Sequence, residues 1–95
     1  MDTRTIILCP NPDRDHGMRA TKTAIQLLQE LGFQTAVCSP FRSPKAGAFG
    51  DLAVKPLLTE LKNASLIITL GGDGTILHLA KLAALNRIPM LGINM

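Results

Sequence analysis

The chain has 95 residues, 46% of them apolar, and a net charge of +3 from ten Lys and Arg against seven Asp and Glu. That length holds one modest core and excludes a second. With three Phe and no Trp or Tyr it lacks the aromatic faces on which single-stranded nucleic acid stacks, and its basic residues are scattered from Arg4 to Arg87, so nucleic acid is not an expected partner.

Thr5 to Cys9 (TIILC) is a continuous apolar run rich in β-formers, the pattern of a short buried parallel strand. Pro10-Asn11-Pro12 is expected to end it, because proline has no N–H for a ladder. From Asp15 an amphipathic helix is expected. Met18, Thr21, Ala24, Ile25, Leu28 and Leu31 recur at three- and four-residue steps, Asp15 can cap the start, and Gly32 can take the left-handed conformation at the end. Phe33 to Cys38 (FQTAVC) reads as a second strand, and Ser39 to Gly50, punctuated by Pro40, Pro44, Gly47 and Gly50, as a turn-rich loop. Asp51 to Asn63 reads as a helix with Leu57, Leu58 and Leu61 as its apolar stripe, its regular part beginning at or just before Pro56. A third strand over Leu66 to Leu70, a third helix over Thr75 to Leu85 and a fourth strand over Ile88 to Ile93 complete the pattern. Such alternation with short connections implies an α/β fold: an open parallel sheet with right-handed crossovers and helices on both faces.

Cys9 and Cys38 each stand near the end of a strand, outside any CxxC or Cys/His metal spacing; they read as buried small apolar side chains, with a redox pair as the alternative. No signal-peptide pattern opens the chain and no apolar run approaches the ~20 residues that span a bilayer, so a cytoplasmic protein without a membrane partner is expected.

The densest chemical signal is LIITLGGDGTILHLAK, Leu66 to Lys81. Gly-Gly-Asp-Gly-Thr arises by chance at about one position in a million. It falls between an expected strand and an expected helix, where open α/β sheets bind ligands. Gly71 and Gly72 allow a sharp turn and close approach to the backbone amides, Gly74 does the same after the carboxylate, and Thr75 can cap the helix. Exposed N–H groups and the helix dipole there favour phosphate or another anion. The same dipole keeps Asp73 ionised and makes it a weaker base, so positioning is its expected contribution: beside a ribose hydroxyl it can accept the proton as that oxygen attacks a phosphoryl group. The plainer alternative is that Asp73 only caps the helix. GxxxxGK[ST] is absent, and Cys9-Pro10-Asn11 stands where a first Rossmann strand would lead into GxGxxG.

LIITLGGDGTILHLAK followed by IPMLGIN closely resembles the NAD kinase family, and the Asn-Pro after the first strand looks like that family's opening. Lipid kinases of the diacylglycerol and sphingosine type and 6-phosphofructokinases share the glycine-aspartate turn. The former resemble one another in continuing with an Asn-Glu pair where Ile76-Leu77-His78 stand here, and the latter typically carry a glycine-rich loop that residues 9 to 12 lack. The resemblance implies a Rossmann-like N-terminal domain that phosphorylates the adenosine-ribose 2′-hydroxyl of NAD with ATP and Mg²⁺ or another divalent metal, polyphosphate being the donor in some members. It implies Asp73 as the catalytic proton acceptor, with Asp73, Gly74 and His78 contacting the dinucleotide. His78 also reads as a half-exposed helix histidine without a ligand. Residues 1 to 95 would then be an N-terminal α/β domain truncated before a second, Asn-Glu or Asn-Asp motif and a β-rich C-terminal domain, inactive in isolation and homo-oligomeric when full length. The competing readings are a stand-alone nucleotide-binding module and a related lipid or sugar kinase.

Overall fold

The computed structural model describes residues 4–40 and 47–95, with the Asp73 side chain left out of the description. Five strands form one sheet in the order β3-β2-β1-β4-β5, all neighbours parallel. They are β1 (Thr5–Pro10), β2 (Gln34–Cys38), β3 (Val54–Lys55), β4 (Ala64–Gly71) and β5 (Met90–Asn94). Three α-helices connect them: α1 (Arg19–Glu30), α2 (Leu57–Glu60) and α3 (Asp73–Leu85).

Strand alternation sorts the core into two layers. Ile6, Leu8, Ile68 and Leu70 face α1 and meet its Ala20, Ala24, Ile25 and Leu28. Ile7, Cys9, Cys38 and Ile67 face the other way, under Leu79 and Ala83 of α3 and beside Leu57 and Leu61. All six residues of β1 are buried, because the strand lies mid-sheet with helices above and below. Burying each large aliphatic side chain stabilises the fold by about 1.5–3 kcal/mol, so the two central strands carry most of the core. Open parallel sheet and helices on both faces are therefore as the sequence pattern implied.

Several expectations are corrected in detail. β1 runs through Pro10, which pairs in register with Leu70. The Asn11 N–H beyond it points at the Leu70 carbonyl (2.8 Å), so the proline's missing N–H faces the β2 side, where the register ends at Leu8↔Val37. The first helix does not begin at Asp15. Gly17 (φ 68°) and Met18 (φ 57°) both take the left-handed conformation within a short 3-10 turn over His16–Met18, and regular α-helix starts at Arg19. Its end is as expected, with Gly32 at φ 92°. Leu31 is 73% exposed rather than part of the buried stripe. Asp51 to Asn63 is not one helix: a two-residue edge strand, β3, precedes Pro56, and only Leu57–Glu60 is α-helical before a 3-10 turn over Leu61–Asn63. Proline at 56 fixes an extended residue there, which splits the segment, and Leu58 of the expected stripe is 70% exposed. Part of the expected loop over Ser39 to Gly50 lies outside the described residues; of the rest, Phe49 is buried against Met18 and Val37.

The helix layer is incomplete over β5. Leu91 and Ile93 stand in register with Ile68 and Leu70, hence on the α1 face, and remain exposed.

Candidate functional site

Strand order reverses between β1 and β4, so the connections leaving their carboxyl ends diverge and leave a crevice between them. Two strand-to-helix turns line it.

The first runs from Asn11 to Met18. The Asn11 carbonyl accepts the N–H groups of Arg14 (3.0 Å) and Asp15 (2.9 Å), and its side-chain Oδ1 accepts the N–H of Asp13 (2.9 Å). Asp15, 1% exposed, reaches back to the start of α1. One carboxylate oxygen accepts the Ala20 N–H (3.0 Å); the other accepts both the N–H (2.9 Å) and the hydroxyl (2.6 Å) of Thr21. Asp15 therefore does cap α1, but from outside the helix. Burial pushes its carboxyl up; the bonds from the Thr21 hydroxyl and from the Ala20 and Thr21 amides, with the nearby His16 charge, outweigh burial and hold it below the ordinary carboxylate value.

The second turn, Gly71 to Thr75, is made almost entirely of backbone. A Cβ on Gly71 would lie 2.8 Å from the Cβ of Asn11, closer than side chains tolerate, so glycine is required by the first turn. Gly72 (φ −102°, ψ −177°) precedes α3 as its N-cap and, being glycine, brings no side-chain cap. Thr75 lies inside α3 and is buried, so the expected threonine cap is replaced by a glycine start. At Gly74 nothing stands within 4 Å of where a Cβ would be, and its φ is not positive. Neither crowding nor backbone conformation within the described chain demands glycine at 74; the space beside it is open.

Of the residues singled out by sequence, Asp73 and Gly74 thus sit in the first turn of α3 at the crevice, while His78 is exposed one turn along the helix from Gly74. Sequence reasoning passed over Arg14. Its guanidinium lies over Gly72, with Nη2, Cζ and Nε 3.7, 3.8 and 3.8 Å from the position of a Cβ there, and Nη1 donates to the Met95 carbonyl at 3.3 Å. No motif marks an isolated arginine; the signal available was the turn-forming Asn-Pro-Asp before it. The Met95 N–H closes the third side by donating to the Gly71 carbonyl (3.1 Å).

Among the described residues no group of three or more His, Cys, Asp or Glu converges as a metal cage. Cys9 and Cys38 are both free and buried. Burial first, and the neighbouring Cys38 second, raise the Cys9 thiol. Burial and the Glu60 charge push Cys38 up to about 12, against a smaller opposite effect of Lys55. Such thiols are poor nucleophiles and pack as small apolar groups. No described helix is long and apolar enough to cross a membrane.

The family model for the ATP-NAD kinase N-terminal domain matches residues 6–95. The chain belongs to the NAD kinase family. An NAD kinase of Corynebacterium diphtheriae is 31% identical over 100 residues, covering 99% of this chain and 31% of the relative. One of Ruminiclostridium cellulolyticum is 34% identical over 86 residues, covering 90% and 28%. One of Heliobacterium modesticaldum reaches 49% over 39 residues, 41% of this chain and 14% of its own length. The chain thus spans about a third or less of these NAD kinases, and the family model it matches is that of the N-terminal domain.

Proposed function

We propose that this chain is the N-terminal α/β domain of an enzyme that transfers the terminal phosphoryl group of ATP to the adenosine-ribose 2′-hydroxyl of NAD, giving NADP. Membership of the family makes the reaction class the leading reading. The observation that carries it to particular atoms is Asp73 opening α3 beside Gly74, whose open surroundings admit a ligand to the backbone. In this reading the Asp73 carboxylate, kept ionised by the helix start, orients the attacking hydroxyl and takes its proton as the new P–O bond forms. Asp73 and Gly74 contact the dinucleotide, and His78, one turn on, reaches it from the helix flank. Mg²⁺ accompanies ATP and supplies charge neutralisation on its phosphates; such ions are held largely by phosphate oxygens and water, with few protein ligands, and the described residues offer no cage of their own.

The remaining two thirds found in the relatives complete the nucleotide sites in this reading, so the 95 residues alone are inactive. Homo-oligomerisation of the whole enzyme and a cytoplasmic setting belong to the same proposal. The test is NADP formation by the protein expressed from its complete coding sequence. Turnover of NAD with ATP that drops by about 10²–10⁴ in Asp73→Asn is expected. Undiminished turnover in that variant rejects Asp73 as the base, and NAD binding without turnover in the wild type leaves a nucleotide-binding module.

A further inference from the structure

We infer that Arg14 is a binding residue for a nucleotide phosphate at the glycine turn; this rests on the nucleotide-kinase reading above. The Arg14 backbone N–H and that of Asp15 both bond the Asn11 carbonyl, at 3.0 and 2.9 Å, and the Asn11 side chain secures the N–H of Asp13. One residue further on, the buried Asp15 carboxylate ties the segment to α1 through Ala20 and Thr21. The main chain at Arg14 is therefore fixed from both sides, while the residue itself is exposed.

From that mount the side chain crosses the crevice instead of extending into solvent. Three guanidinium atoms lie 3.7–3.8 Å from the side-chain position of Gly72, the residue that starts α3. A guanidinium carries five N–H donors in a planar fork that matches phosphate oxygens in pairs. The bond to the Met95 carbonyl is long for a charged donor, at 3.3 Å, so an anion can displace or share it. The same crevice holds the start of α3, whose N-cap residue is a glycine that brings no side-chain cap, and the open space beside Gly74. A cation fixed over the glycine that precedes α3, beside the open space at Gly74, can meet the oxygens of a phosphate entering the crevice, with Asn11 as its positioning residue. Such phosphate belongs either to the pyrophosphate bridge of NAD or to ATP.

The proposal is tested on the protein expressed from its complete coding sequence, with Arg14→Gln and Arg14→Lys beside the wild type. NAD and ATP are titrated separately by calorimetry, and KM and kcat are measured for each. Arg14→Gln is expected to weaken one of the two nucleotides by about 10- to 100-fold, and Arg14→Lys by less, because the charge survives and the fork does not. Weakening of NAD alone assigns the phosphate to the dinucleotide, and weakening of ATP alone assigns it to the donor; a reduced salt dependence of the affected KM accompanies either. An unchanged melting temperature shows that the loss is local. Wild-type affinities for both nucleotides in Arg14→Gln overturn the inference while leaving the kinase reading intact. A wild-type protein that binds neither nucleotide overturns the kinase reading, and this inference with it.

Discussion

The turn after β1 and the turn after β4 do the same topological work, each carrying a buried strand into a helix, and each contains an aspartate. They are built from opposite materials. In the first, Asp15 is buried and its oxygens accept three bonds, from two amides and a hydroxyl at the start of α1. In the second, the residue before α3 is a glycine, which brings no side chain to cap it. A carboxylate whose acceptor capacity is taken up by its own fold has little left for a ligand. A helix preceded by glycine receives no side-chain cap from that residue. The difference separates an aspartate that holds the fold from one that, in the proposed function, takes part in the chemistry, although both look alike as Asp residues between a strand and a helix.

Exchanging single groups between these roles breaks the comparison if it is wrong. The largest contrast is between the two aspartates. Asp73→Asn should cost about 3–5 kcal/mol of transition-state stabilisation, the equivalent of its 10²–10⁴ loss in rate, with thermal unfolding unmoved. Asp15→Ala should do the reverse at the level of cause, lowering unfolding free energy by about 2–4 kcal/mol because the buried donors of Ala20 and Thr21 lose their acceptor. Denaturant midpoints and kinetics on the same preparations separate the two. Among the glycines, Gly71→Ala should destabilise by about 1–3 kcal/mol, since its methyl would meet Asn11 at 2.8 Å. Gly74→Ala should leave stability unchanged or raise it by up to ~1 kcal/mol, as helix propensity favours alanine, while weakening nucleotide binding. Equal destabilisation by both would erase the distinction between a glycine the fold needs and one it does not.

The smallest effect is acid sensitivity. The folded Asp15 carboxyl lies below its usual value, so in the window between the two pKa values the unfolded chain binds more protons. Its contribution is fully present above about pH 4, the unfolded value, and is lost as pH falls through the depressed folded value. Unfolding midpoints measured at and below pH 4 should therefore fall less steeply in Asp15→Ala than in the wild type.

Much of the architecture was legible because continuous apolar runs, helical spacing and glycine punctuation each have one structural interpretation here. TIILC and LIITL could only be central strands, and Gly32 ended α1 as read. What escaped was decided by tertiary contact. Val54–Lys55 is two exposed residues at a sheet edge, without alternation to detect, and pairs only because Val37 and Cys38 stand beside it. The left-handed Met18 is a conformation that no propensity favours; it lets the buried Met18 side chain reach Val37 and Phe49. At the candidate site the glycine-aspartate turn was visible as a string of residues. Arg14 was not, because its place over Gly72 depends on β1 and β4 being neighbours, which spacing along the chain does not encode.

That neighbouring of β1 and β4 also orders events in time. The β1–α1–β2 portion and the β4–α3–β5 portion are each built from contacts between nearby residues, whereas the bond from the Asn11 N–H to the Leu70 carbonyl joins distant parts of the chain. Closing it carries the loop entropy of the whole intervening segment, so it is the slow, high-contact-order step of folding. The crevice does not exist on either portion alone; it is created in the instant the portions zip together. A ligand gripping both turns would then act as a clasp, slowing the unzipping of the sheet's central seam and leaving the outer strands free to fray.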